Sequence, residues 1–337
     1  MRATTPAAIP PGSSRLAGAR DHRPRTAFVL SGAASLAAVQ VGMLQALYED
    51  GITPDLLVAT SAGAVNAAFI ASRPQTTATA QALGRIWRNL QREDMFPVSL
   101  SALVGGVCGN RDHLVRDRGL RQLVRRYIEF DDLADASIPL HLVSFDLTTG
   151  HEVLLSDGPS VDAVAASGSI PGIYPPVRMG DRRLIDGGVA GSTPISHAVE
   201  LGAERIYVLP AQHPSQPLAR VPKSALDASI YGLGLLIGSR LETDIARNAN
   251  EAELIVMPTP KTGHVQPTSF EHSGALISQA LAAGRRLLRP QHSGRHLRLV
   301  TEDERTGSSL RRNADRAVRV RAAAEGSMKT YERTESR

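Results

Sequence analysis

Cysteine is almost missing from this chain: Cys108 is the only one in 337 residues. A single thiol excludes an intrachain disulfide framework and a cysteine metal cluster. Aromatic residues make up only 4 %, so aliphatic side chains and alanine must fill any core. No run reaches the roughly 18 apolar residues that a membrane-spanning helix needs. The first 25 residues are Pro, Gly, Ser and Arg punctuation without the apolar stretch of a secretory signal. The expected location is therefore the cytoplasm. Lysine is nearly absent too: Lys223, Lys261 and Lys329 are the only three, and the other basic residues are Arg. No Cys/His zinc spacing, aromatic-rich basic motif, G-x-G-x-x-G or Walker lysine occurs.

The net charge is +5, and it sits at the ends. Residues 1–24 carry +3 and residues 290–337 carry +4, which leaves −2 for the middle. The isoelectric point near 9.7 thus describes the two ends. A nucleic-acid-binding domain would have its basic face on the folded part, so no nucleic-acid partner is expected.

What remains is ordinary globular material, 42 % hydrophobic and 21 % charged. Residues 1–24 read as a disordered leader, 25–290 as one domain, and 291–337 as an Arg-rich, disordered tail. Strands are predicted at 27–30, 56–59, 139–145, 152–155, 183–185, 205–209 and 252–257. Helices are predicted at 37–50, 64–71, 81–90, 119–127, 161–166, 195–201, 225–250 and 273–288, with a loop-rich stretch at 95–112. Strands alternating with helices in this order indicate a three-layer α/β/α fold with a mainly parallel central sheet.

Three features carry chemistry. Ser61 lies in Ala59-Thr60-Ser61-Ala62-Gly63, between a strand and a helix. Small residues two positions to either side suit a cramped nucleophile elbow, with the hydroxyl near the helix's amide end. The same spacing also suits a serine that merely caps the helix. The second feature is Ser31-Gly32-Ala33-Ala34-Ser35-Leu36-Ala37. Such a loop can turn backbone N–H groups toward an anion, or be a plain tight turn. The third is Asp186-Gly187-Gly188 after a strand. An Asp there can act as a base, and Asp-Gly is also a common turn.

Together the blocks FVLSGAASLAAVQVGMLQAL, LLVATSAGAVNAAF, FDLTTGHEVLLSDG, AASGSIPGIYPPV and LIDGGVAGSTPISHAVELGA resemble, in order, those of the patatin-like phospholipase family. The resemblance runs from about Thr26 to Leu288. It implies a serine acyl hydrolase of the lipase or phospholipase A type, working without calcium, metal or cofactor. In that reading Ser61 is the nucleophile and Asp186 the general base. Gly32, Ala33 and Ala34 supply the oxyanion hole, and Ala59, Gly63, Gly187 and Gly188 support the turns. Substrates would be lipid or phospholipid esters, met at a membrane surface. Gly168 to Pro176 would shape the acyl pocket.

The family pattern G-G-G-x-R/K-G becomes Gly32-Ala33-Ala34-Ser35-Leu36-Ala37, and Ala59 stands where the elbow usually has glycine. Alanine keeps its N–H, but at positive φ it is strained by about 1–2 kcal/mol. A degenerate member that binds lipid or a partner without turnover is therefore a second reading. A Ser61, Asp186 and His213 or His264 triad is a third. His197, the apolar run 230–237, Cys108 and the arginines at 116, 118, 121, 125 and 126 read, in turn, as a helix-surface residue, a buried helix, an inert thiol and either a head-group contact or a solvated face.

Overall fold

The computed structural model describes residues 23–97, 112–190, 193–212, 222, 224–261 and 265–289. Residues 1–22 of the leader, the tail, Cys108, His213 and His264 lie outside them.

Eight strands form one sheet: β1 (Thr26–Leu30), β2 (Leu56–Thr60), β3 (Leu140–Asp146), β4 (His151–Leu155), β5 (Val177–Met179), β6 (Arg182–Asp186), β7 (Arg205–Leu209) and β8 (Glu253–Val256). Their order is β5-β6-β3-β2-β1-β7-β8, with β4 paired to β3. The β3-β2-β1-β7-β8 core is parallel. The β3–β4, β3–β6 and β5–β6 pairs are antiparallel.

The described α-helices are α1 (Ala38–Glu49), α2 (Ala62–Ala71), α3 (Thr77–Asn89), α4 (Arg92–Met95), α5 (Arg118–Tyr127), α6 (Ser160–Ser167), α7 (Ile195–Glu200), α8 (Ala225–Asn248) and α9 (Ser273–Leu288). A 3-10 turn, Ala34–Ala37, precedes α1. Along β1, Phe28 and Leu30 join one core with α1, α2, α3, α5, α6 and α9. Ala27 and Val29 join the other, with α7 and the carboxyl half of α8. Both faces are covered, which is why the central strands read as unbroken apolar runs instead of alternating.

Three expectations need correction. Helix α4 was not expected, and of the stretch 95–112, expected to be loop-rich, residues 98–111 lie outside the described residues. Strand β5 was not expected at all, since three residues give no legible period. The run 230–237 was expected to be buried. Ile230 and Ile237 are, but Leu235 and Leu236 are 40 % and 52 % exposed, because a helix lying across the sheet end turns one side to solvent.

Candidate active site

The sheet register brings Ser61 and Asp186 together. On β3, Val143 pairs with Thr60 of β2, and the next residue, Ser144, pairs with Asp186 of β6. The carboxyl ends of β2 and β6, 126 positions apart in sequence, therefore abut at adjacent residues of β3.

Ser61 follows β2 directly and has φ 58 and ψ −129. It occupies the N-cap position of α2 without a side-chain cap hydrogen bond, so the hydroxyl is left free of the capping duty considered above. A left-handed conformation is costly for a non-glycine residue and is kept only where its surroundings hold it. Here Ser61 N–H donates to Ser167 Oγ at 3.0 Å. Ser167 Oγ in turn donates to Val143 O at 2.7 Å. Gly63 permits the turn: a Cβ there would lie 2.5 Å from Leu30 O. Ala59, by contrast, is fully buried in the core, where its methyl is accommodated.

The β1–α1 loop packs onto the serine. A Cβ on Gly32 would lie 2.5 Å from Ser61 Cβ and 3.0 Å from its Oγ. Among the described residues, no backbone acceptor takes the N–H of Gly32, Ala33 or Ala34. Ala34 has φ 47, whereas Ala33 is extended at φ −176 and Ala37 is helical at φ −61. Only one of the three alanines thus takes the strained conformation. Leu36 is buried in the core, so the place of the pattern's basic residue is used for packing.

Asp186 is fully buried. Its Oδ1 accepts from Gly188 N–H at 2.8 Å. Its Oδ2 has no hydrogen-bond partner among the described residues, although the nearby Ser61 hydroxyl still favours its ionised form. The serine is therefore close to the carboxylate without a fully formed bond. Burial, the larger effect, pushes the Asp186 carboxyl up to about 6, against pulls from Ser61 and the Gly188 amide. A Cβ on Gly187 would lie 2.5 Å from Val143 O, and one on Gly188 2.7 Å from Ile237 Cδ1.

Ser61 and Ala34 open into a cleft of about 740 Å³, counting the solvent at its mouth. Phe69, Trp87, Phe96, Tyr174 and Phe270 line it, with Gly168 and Ile170 from the predicted wall segment. Two of its polar wall atoms are turned away: Tyr174 OH donates to Met95 O, and Trp87 Nε1 donates to Asn66 Oδ1 at 2.8 Å. The lining is mainly apolar.

Other candidates stay apart from this cleft. His197 pairs with Glu152 and Glu200 at 3.4 and 3.6 Å, and its hydrogen bond to Glu152 raises its pKa. Arg121 is held by Asp117 and Asp162. Among the described residues no group of three or more His, Cys, Asp or Glu is arranged so that it could hold a metal ion, and no described helix is long and apolar enough to cross a membrane. Sequence reasoning missed Ser167 and Ser169. Ser169 O accepts from Asp186 N–H at 2.9 Å, so one short segment steadies both candidate residues.

The patatin-like phospholipase family model matches residues 28–199, half of the chain. The chain belongs to this family. The matched part of this patatin-like chain includes the β1–α1 loop, Ser61 and Asp186. An uncharacterised NTE-family protein of Mycobacterium tuberculosis is 31 % identical over 171 residues, covering 49 % of this chain and 27 % of that protein. Human patatin-like phospholipase domain-containing protein 6 is 25 % identical over 190 residues, covering 54 % and 13 %. The patatin-like chain thus spans about a quarter or less of these relatives' length. Among solved structures, VipD of Legionella pneumophila is 11 % identical at a TM-score of 0.35, covering 78 % of this chain and 67 % of VipD. ExoU of Pseudomonas aeruginosa, crystallised with SpcU, is 16 % identical at 0.33, covering 78 % and 53 %.

Proposed function

We propose that the chain is a serine acyl hydrolase that cleaves lipid or phospholipid acyl esters through a Ser61–Asp186 dyad. The observation that carries this reading is the placement of Ser61 on a left-handed elbow, beside a buried carboxylate, at the floor of an apolar cleft. Asp186 takes the Ser61 proton as the hydroxyl attacks the ester carbonyl. An adjacent base is what a weakly nucleophilic hydroxyl requires. The oxyanion that forms is met by the Gly32, Ala33 and Ala34 amides and by the amino end of α2. Asp186 passes the proton to the leaving alcohol. Water then attacks the acyl-enzyme, giving its proton to Asp186, and Ser61 recovers that proton as the fatty acid leaves.

The acyl chain occupies the cleft. Every charge and proton in this scheme is handled by the chain's own groups, so calcium has no step to perform. The site of action is the cytoplasm or a membrane surface, with no spanning segment needed. The test is hydrolysis of a p-nitrophenyl ester and of phospholipid vesicles. Ser61→Ala and Asp186→Asn should each lower turnover by at least about a thousandfold. Retention of lipid binding in a wild type with no turnover would instead favour the binding-only reading, which the strained Ala34 keeps open.

A further inference from the structure

A chain of buried amides joins the acyl cleft to the loop beside Ser61. Gln40 on α1, Asn66 on α2 and Trp87 on α3 are all buried. Trp87 Nε1 donates to Asn66 Oδ1 at 2.8 Å. Asn66 Nδ2 donates to Gln40 Oε1 at 2.8 Å and to Ala37 O at 3.1 Å. Gln40 Nε2 donates to Ser31 O at 2.7 Å and to Leu209 O at 2.9 Å. Both amide groups use both of their N–H bonds. Ser31 and Ala37, two of the backbone carbonyls reached, flank Gly32, Ala33 and Ala34. At the far end the Trp87 ring is a wall of the cleft, stacked on Phe270 with centroids 5.9 Å apart.

We propose that Trp87, Asn66 and Gln40 act as a positioning relay, which sets the oxyanion loop when an acyl chain fills the cleft. Chain length is then read in kcat more than in KM. This inference rests on the hydrolase reading. Two amides in an otherwise apolar core are a liability unless every bond is made, and here all their N–H bonds end on the loop's flanks, on β7 or on each other. The loop needs such support, because Ala34 at φ 47 does not favour its own conformation. An acyl chain pressing on Trp87 orders the ring and, through it, the amide donors. Binding energy remote from the ester is thereby realised in the transition state.

The test compares p-nitrophenyl butyrate with the laurate in wild type and Trp87→Phe. The variant keeps an aromatic wall and loses only the N–H donor and part of the ring. Wild-type kcat should be higher with laurate. In Trp87→Phe, the laurate-to-butyrate kcat ratio should fall by about tenfold or more, a larger change than any in the ratio of the two KM values. An unchanged laurate-to-butyrate kcat ratio, or a loss confined to KM, would overturn the relay. Should Trp87→Phe fail to fold, wild type serves alone, since Trp87 is its only tryptophan. Its emission should shift when Ser61 is modified by a dodecyl fluorophosphonate and not by an ethyl one, and equal responses would overturn the relay. A wild type that neither turns over these esters nor takes up a phosphonate would overturn the hydrolase reading beneath it.

Discussion

Asp186 holds an acid form and a base form close in energy. Its ordinary pKa of 3.8 rises to about 6 through burial. Because the folded value is the higher one, folding is favoured by protonation, and stability is lost as pH rises through about 6. At neutral pH and above, the buried carboxylate therefore costs up to about 3 kcal/mol. Asp186→Asn should abolish turnover yet raise the melting temperature at pH 8, with the gain vanishing below pH 4; thermal melts at the two pH values check this. Wild-type activity should climb with pH through about 6 as the base ionises. Ala34 offers a second residue-scale test. Ala→Gly ordinarily destabilises by about 0.5–1 kcal/mol. At φ 47 Ala34→Gly should be neutral or stabilising, whereas Ala37→Gly, at a helical φ, should show the ordinary loss. Chemical denaturation of the two variants separates these outcomes.

At the scale of elements, the helix pair α1 and α9 shows how closely this alanine- and glycine-rich chain packs. A Cβ on Gly42 would lie 2.2 Å from Ile277 O and 2.6 Å from Leu281 N. Gly42→Ala should therefore destabilise by about 1–3 kcal/mol while leaving the activity of the folded fraction intact, as read by denaturation midpoint and active-site titration together. The long elements were legible in the sequence because their physics is local. Helix α9 follows from its apolar period, and the β1 and β2 strands follow from apolar runs stopped by small residues. Helix α3 begins earlier than its apolar period suggested, since Thr76 caps it by accepting from Thr79 N–H. The shortest elements, α4 and β5, have too few residues for any period to emerge. The turn at Ser61, the β1–α1 loop and the D-G-G turn were legible as wording. Ser167 was not, because a serine in a small-residue run shows its purpose only against Ser61, 106 positions away. Gln40 and Asn66 left a fainter signal, as polar residues on helix faces that are otherwise apolar.

At the scale of the whole molecule, one sheet brings distant segments into a single site. β1 supplies the loop, β2 the serine and β6 the carboxylate, while α2, α3, α5 and the segment after α6 line the cleft. The proposed scheme gives a metal no step, so hydrolysis should persist undiminished in excess EDTA, and a loss restored by calcium would contradict the scheme. The most direct test of the central claim is covalent. Wild type, Ser61→Ala and Asp186→Asn would each be treated with a fluorophosphonate and mapped by peptide mass spectrometry. The account predicts one adduct on Ser61 in wild type, none in Ser61→Ala, and labelling slowed by orders of magnitude in Asp186→Asn. An adduct on another residue, or undiminished labelling in Asp186→Asn, would contradict it.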